Sequence, residues 1–271
     1  MDSHAHIDKF PENERNAVIE RAWAAGLKRI VSVATSLGDS ETLASLAKKS
    51  DGRIFCTVGV HPTELDSGVP AAKELEAAAD SAKPIAIGET GIDLFFAPDG
   101  SGAARTMVER QRRAFFLQCC VAKEMSLPVI IHCREKKRGE MEAWSLTQKV
   151  LETAKFPVER ALLHCFDYGV EELLRWQKAG GTLSFSGLLT RVDRGDLREA
   201  AKFAEVNKVL LETDSPFLLP EPLRGEGKET RCEPAHMVHT ADCLANAFGY
   251  ERESVLELSL KNGNAFFGLW G

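Results

Sequence analysis

Short apolar runs alternate with longer amphipathic stretches along the whole chain, and this alternation limits the possible fold more than any other feature. The runs are "RIVSVA", "IFCTVGV", "PIAIG", "LPVIIH", "ALLH", "TLSFS" and "KVLLE", with the opening "MDSH" as an eighth. Between them lie stretches of helical period: "NAVIERAWAAGL", "ETLASLAKK", "AAKELEAAAD", "RQRRAFFLQCCVAKEM", "EAWSLTQKVLETA", "EELLRWQKAG" and "DLREAAKFAEV". Strands that are apolar throughout and separated by helices belong to a parallel sheet covered on both faces. Eight such units favour closure into a (β/α)8 barrel, the TIM-barrel form of the α/β class, over an open sheet. No glycine-rich phosphate loop follows the first strand, which weakens the open-sheet alternative. Gly26 and Gly180 read as helix stops, and "AHMVHTADCLANAFG" and "RESVLELSLKNGNAFFG" as closing helices. No linker or low-complexity stretch interrupts the pattern, so residues 1–271 are expected to form one domain. A chain of this length that is 44% apolar can fill its core.

A net charge of −6 argues against a protein that coats nucleic acid by charge alone. It leaves room for an enzyme that meets a phosphodiester locally, where metal ions supply the positive charge. The seven cysteines are odd in number and contain no CxxC pair, which fits a reduced, intracellular protein better than a disulfide framework. The first residues are polar, and no apolar run approaches bilayer-spanning length. The expected compartment is the cytoplasm, with no membrane association.

Chemistry-bearing residues follow the apolar runs. His4 and His6 come after "MDS", His61 after "FCTVGV", Glu89 after "IAIG", His132 after "LPVII", His164 after "ALL" and Asp214 after "VLLET". In a parallel barrel these positions share the C-terminal rim, where the active sites of such folds lie. Residues i and i+2 of a strand share a face, so His4 and His6 point the same way. Four of these five imidazoles and the two carboxylates, in one mouth, make a borderline-hard site of nitrogen and oxygen ligands. A shared carboxylate can hold two divalent ions roughly 3.5–4 Å apart, an arrangement suited to in-line phosphoryl displacement. Each member alone has a plainer reading, as a hydrogen-bonded histidine or a capping carboxylate. The weight lies in their joint occurrence at the ends of different strands.

With "DSHAHID", "GVHP", "IGETGID", "LPVIIHCRE", "LLHCF", "SFSG" and "LLETDSPFLLPEP" in this order, the chain resembles the TatD-type metal-dependent deoxyribonucleases, within the wider metal-dependent hydrolase barrels. The resemblance runs from Asp2 to the terminal "NAFFGLWG". It implies two divalent ions, Mg2+, Mn2+ or Zn2+, with His4, His6 and Asp214 on one. It further implies that Glu89 bridges to a second ion held by His132 and His164. His61 would lie beside the scissile phosphate. Asp93 and Arg134 match motif positions and are expected to support the site and to contact phosphate. The family's Asn-Glu-Pro after strand eight is "CEP" here, with Cys232 in the Asn place, and "HCFDYG" replaces the commoner "HCFSG".

The resemblance implies hydrolysis of DNA phosphodiesters, in the 3'-5' exonuclease sense, on a single strand or an end. Asp214, Glu89 and His61 would be the catalytic residues, with His61 and Arg134 on the substrate. Two other readings share the ligand set: an amidohydrolase attacking an amide or lactone carbonyl, and a barrel that binds metal without catalysis. Many amidohydrolases place a carboxylated lysine where this chain has Glu89, which favours the phosphodiesterase branch.

Cations recur in the later loops (Arg134, Lys136, Lys137, Arg138, Arg191, Arg194, Arg224, Lys228 and Arg231) and could form a positive rim that draws in a nucleic-acid backbone. Acidic neighbours make a solvated face an equal reading. Phe95 and Phe96 could stack on a base, although loop aromatics more often pack beneath their loop. Cys133 and Cys165, each following a ligand, are expected to turn to the opposite face as buried thiols. His236 and His239 are expected on a helix face, and Trp23, Trp144 and Trp176 in helix packing.

Overall fold

The computed structural model describes residues 1–98, 102–225 and 231–270. Strands and helices alternate: β1 (Asp2–Ala5), α1 (Glu12–Ala24), β2 (Ile30–Ser32), α2 (Ser40–Lys48), β3 (Ile54–Val58), α3 (Ala72–Ala82), β4 (Ala86–Asp93), α4 (Gly102–Glu124) and β5 (Val129–Arg134). The order continues with α5 (Glu142–Ala154), β6 (Ala161–Leu163), α6 (Val170–Lys178), β7 (Thr182–Phe185), α7 (Gly195–Ala201), β8 (Val209–Leu211), α8 (Met237–Phe248) and α9 (Arg252–Phe267). The sheet has eight strands, ordered β1 to β8 as in the chain. Each apolar run forms a strand, and β2, β6 and β8 are buried at every residue, as strands covered on both faces must be. Among the described residues no helix is long and apolar enough to cross a membrane.

The chain divides into two compact units. One comprises residues 1–32, 46–55 and 165–271; the other comprises 33–45 and 56–164.

In the first unit β1 pairs parallel with β2, and β7 with β8. The segment leaving β8 returns to β1, where the Asp214 N–H donates to His4 O at 2.9 Å and the His6 N–H to Ser215 O at 2.7 Å. α9 secures β8 through side chains: Asn262 Nδ2 donates to Val206 O and Val209 O, and Ser259 Oγ accepts from the Leu211 N–H. Trp176 of α6 is buried and donates through Nε1 to Thr182 O at 2.7 Å, which sets that helix against β7.

In the second unit β3, β4, β5 and β6 pair parallel in succession. α4 buries Gln111, Ala114, Phe115, Gln118, Cys119 and Ala122, a three-and-four spacing that keeps one face inward. Full burial of Phe115 alone contributes roughly 1.5–3 kcal/mol.

The largest departures of helix boundaries from expectation are in α4 and α7. α4 starts at Gly102 rather than Arg110, because "GAARTMVE" carries helix propensity without an apolar stripe. α7 ends at Ala201, short of the expected Val206, and Phe203 beyond it is exposed.

Candidate metal centre

In the first unit, two histidines and an aspartate converge. β1 is four residues long, and His4 lies on it while His6 follows its end. Their Nε2 atoms are 3.2 Å apart, so the two rings meet as expected although His6 lies one residue past the strand. Asp214 Oδ1 stands 3.3 Å from His6 Nε2 and 3.7 Å from His4 Nε2. Asp214 has a left-handed backbone (φ 55°), a conformation that costs energy in a non-glycine residue and that Asp tolerates better than most. It is held there by its N–H bond to His4 O. Behind this group Asp2 is fully buried; its carboxylate accepts from the His4 N–H, the Thr213 N–H and the Thr213 hydroxyl. Burial pushes the Asp2 carboxyl up to about 7, against the pull of these bonds. Ser184 Oγ donates to the buried Glu212 at 2.6 Å.

The second unit carries a separate convergence. The sequence pattern puts Glu89 just past a strand, yet β4 runs through it to Asp93, and the β4–β5 register shifts between Ile87 and Thr90. Such an irregularity re-aims a side chain without ending the strand. Glu89 Oε1 lies 2.8 Å from His132 Nδ1, 2.7 Å from His164 Nε2 and 3.5 Å from His61 Nε2. His132 Nδ1 and His164 Nε2 are 3.3 Å apart. The other nitrogen of His132, Nε2, is 2.9 Å from Asp93 Oδ2, so this carboxylate fixes the ring orientation. Burial works to lower the His132 pKa, but the bonds to Asp93 and Glu89 and the Glu89 charge carry it above its ordinary value. Burial works to raise Asp93, and the bond and charge of His132 outweigh it, so Asp93 lies low. Gly91 lets β4 and β5 approach at this point: its φ is 137°, and a Cβ there would stand 2.0 Å from His132 O.

His61 has a defined hydrogen-bond role. The Thr63 N–H donates to its Nδ1 at 3.2 Å, so the neutral ring carries its proton on Nε2, the atom that faces Glu89. Two glutamines of α4 hold the surrounding backbone. Gln118 accepts from the Val60 N–H and donates to Val60 O and Thr90 Oγ1; Gln111 accepts from the Asp93 N–H and donates to Asp93 O.

Both groups suit a divalent cation. Ligand atoms around one tetrahedral ion at about 2.0–2.1 Å sit about 3.3 Å from one another. The closest donor atoms in the first unit are 3.2–3.7 Å apart, and those of Glu89, His132 and His164 are 2.7–3.3 Å apart. The nitrogen and carboxylate donors match borderline metals such as Zn2+ or Mn2+. His61, Asp93 and His132 form a further group within ligand reach of one another.

The expected positive rim is partly spent. Arg194 is buried and ion-paired with Asp167, the residue that marks the "HCFDYG" departure. Arg224 pairs with Glu221, Arg231 with Glu14, and Lys136 Nζ donates to Ala97 O. Lys228 lies outside the described residues. Arg134, Lys137 and Arg138 are exposed. Phe95 and Phe96 do not pack beneath their loop; both stand in solvent, with Arg134 over the Phe95 ring. Phe217, three residues past Asp214, is also exposed, its ring 5.9 Å from His6.

Cys133 and Cys165 are half-buried rather than buried. β6 ends at Leu163 and Cys165 has a positive φ, so strand alternation does not apply there. Cys232 is the buried thiol of the group, pushed up by burial, and its N–H donates to Pro216 O. His236 accepts from the Glu233 N–H at a helix entrance. Trp144 and Trp176 are buried, and Trp23 is half-buried beneath Arg53. Sequence reading misses Asp2, Glu212, Gln111 and Gln118. Asp2 and Glu212 leave a signal, each an acid within one of the quoted strand runs, "MDSH" and "KVLLE".

A family model described as "TatD related DNase" matches residues 1–268. The chain is 33% identical to "Uncharacterized metal-dependent hydrolase TatD" of Mycobacterium tuberculosis, over 99% of this chain and 98% of that one. It is 31% identical to "3'-5' ssDNA/RNA exonuclease TatD" of Erwinia amylovora, over 94% of each. Among solved structures it is similar to YJJV, a TatD homologue from Escherichia coli, with a TM-score of 0.83 and 23% identity, covering 98% and 97%. That likeness, with the parallel strand order, makes the fold the expected (β/α)8 barrel. By the extent of these matches, the chain belongs to the TatD-related DNase family.

Proposed function

We propose that this chain is a divalent-metal-dependent hydrolase of nucleic-acid phosphodiesters, a 3'-5' exodeoxyribonuclease that acts on a single strand or an exposed end in the cytoplasm. The observation that carries the reading is the cluster of Glu89, His132 and His164 backed by Asp93. It is supported by relatives whose names specify a metal-dependent hydrolase and a 3'-5' ssDNA/RNA exonuclease. The seven cysteines, all free thiols, suit a reducing compartment.

One ion is assigned to His4, His6 and Asp214, and one to Glu89, His132 and His164. Bound there, divalent ions would supply a nucleophile at neutral pH and offset charge on the phosphoryl oxygens. The chain's own groups do the rest. Asp214, whose carboxylate is 16% exposed against at most 3% for His4 and His6, is the member of its group best placed to orient an attacking water and take its proton. His61 donates through Nε2–H to a non-bridging phosphoryl oxygen as charge builds there. Asp93 holds the His132 ring so that Nδ1 presents a lone pair. Arg134 meets the phosphate backbone of the strand.

The test is a metal-dependence series on end-labelled single-stranded DNA and RNA, comparing the wild type with His132→Ala. Laddering from the 3' end that needs metal and is lost in the variant is expected. Turnover of cyclic amides or lactones, with no metal-dependent cleavage of either nucleic acid, would overturn the proposal.

A further inference from the structure

Phe95 and Phe96 follow directly on β4, in a turn that the structure holds at four points. The Leu94 N–H donates to Arg134 O at 2.9 Å, the Phe95 N–H to Asp93 Oδ1 at 2.9 Å, the Ala97 N–H to Leu94 O at 3.0 Å, and Lys136 Nζ to Ala97 O at 2.6 Å. A turn so fixed has its side-chain directions fixed as well. Yet the two rings it carries are 48% and 63% exposed, and they meet edge to face with centroids 5.0 Å apart. Large aromatic side chains stabilise a fold by being buried, and paired exposed rings on a clamped turn do little of that. Arg134, opposite Asp93 in the β4–β5 register, lays its guanidinium 3.8 Å from the Phe95 centroid and 5.8 Å from that of Phe96.

The turn is also tied to the metal-ligand cluster by one residue. Asp93 accepts the Phe95 N–H on Oδ1 and faces His132 Nε2 through Oδ2. A ligand seated on the rings is therefore held in register with His132 through a single buried carboxylate.

We propose that Phe95, Phe96 and Arg134 form a stacking platform for an unpaired nucleobase of the substrate strand, and that it sets the enzyme's preference for single strands. The proposal rests on the nuclease reading above and names how that substrate is recognised. Phe96, the more exposed ring, offers a face to the base. Arg134, stacked on Phe95, keeps a planar cation beside it for the adjoining phosphate. Stacking on an aromatic ring accepts any base, because every base has a π-face, and it requires that face to be free of its neighbours in a duplex. A small carbonyl substrate has no use for such a surface.

The experiment compares a short single strand with the same strand made abasic at its 3'-terminal residues, for the wild type, Phe96→Ala and Phe96→Trp. In the wild type the abasic strand should show a KM higher by about ten-fold. Phe96→Ala should raise KM for the intact strand by a similar factor, with little change in kcat and none on the abasic strand; Phe96→Trp should restore it. Equal KM for intact and abasic strands in the wild type, or an intact-strand KM unmoved by Phe96→Ala, would overturn the platform while leaving the nuclease reading standing. If the wild type cleaves neither DNA nor RNA, the nuclease reading falls. The platform is then judged by fluorescence anisotropy of the two labelled strands, and equal affinities overturn it.

Discussion

Gln118 is wholly buried in α4 and spends its entire amide on the backbone and hydroxyl that surround the cluster. It accepts the Val60 N–H at 2.8 Å and donates to Val60 O at 3.0 Å and Thr90 Oγ1 at 2.7 Å. Replacing it by Leu, which is slightly larger, leaves no cavity, but strands a buried N–H and deprives two buried oxygens of a donor. An unsatisfied buried donor costs about 1–3 kcal/mol, and each lost acceptor contact about 0.5–1.5 kcal/mol. The sum is about 2–6 kcal/mol, within the range that marks a named structural defect. For a chain of this size about 1 kcal/mol moves Tm by about 2–4 °C, so Gln118→Leu should lower Tm by at least several degrees. The urea midpoint should fall at unchanged slope. Because Val60 precedes His61, kcat should fall as well in protein that is still folded. A stability loss below about 0.5 kcal/mol would refute the argument that this amide holds the backbone and hydroxyl around the cluster.

Four further outcomes follow from the same geometry. Gly91→Ala places a methyl group against His132 O at a positive φ, and should cost at least about 3 kcal/mol; metal content and denaturation measured together check it. Asp93→Ala should weaken metal binding about 10–100-fold by calorimetry, and Asp93→Asn, which keeps an acceptor for His132, by less. Metal returned to chelated protein at a hundred times its Kd should raise stability by about 2.7 kcal/mol, a gain that a His6→Ala, His132→Ala double variant should lack in a thermal melt. Of the seven thiols, Cys56, Cys119 and Cys232 are buried and pushed upward by that burial. A disulfide reagent at mildly alkaline pH should therefore titrate no more than four until the protein unfolds; reaction of all seven in the native state would contradict the burial.

Much of the fold is legible in the amino-acid sequence itself. The eight apolar runs are the eight strands, and α5 falls on the same residues, 142–154, as its helical pattern. Burial on both faces writes itself into composition, and the 3.6 period writes itself into spacing. What stays hidden depends on distance in space. Glu89 lies inside β4 because a register shift, invisible in "IGETGID", turns it without ending the strand. Gln111 and Gln118 are seven residues apart on one helix and look like surface polars until strand ends arrive beside them. Arg194 reads as a rim cation because Asp167 is far away in sequence. Phe95 and Phe96 defy the expectation that apolar rings hide, which is how a binding surface departs from a folding rule.

The two ligand groups differ in how much of the polypeptide must be in place before they exist. Glu89, His132 and His164 come from β4, β5 and the end of β6, consecutive neighbours within one stretch of the chain. His4 and Asp214 meet only when the first strand has been joined by the segment after the last. Closing so long a loop is entropically dearer and slower than pairing adjacent strands. A growing or partly unfolded chain would therefore assemble the Glu89 trio first and lose it last, while the His4 trio reports completion of the ring. Ion occupancy at the His4 trio would thus serve as a built-in signal that the enzyme is whole.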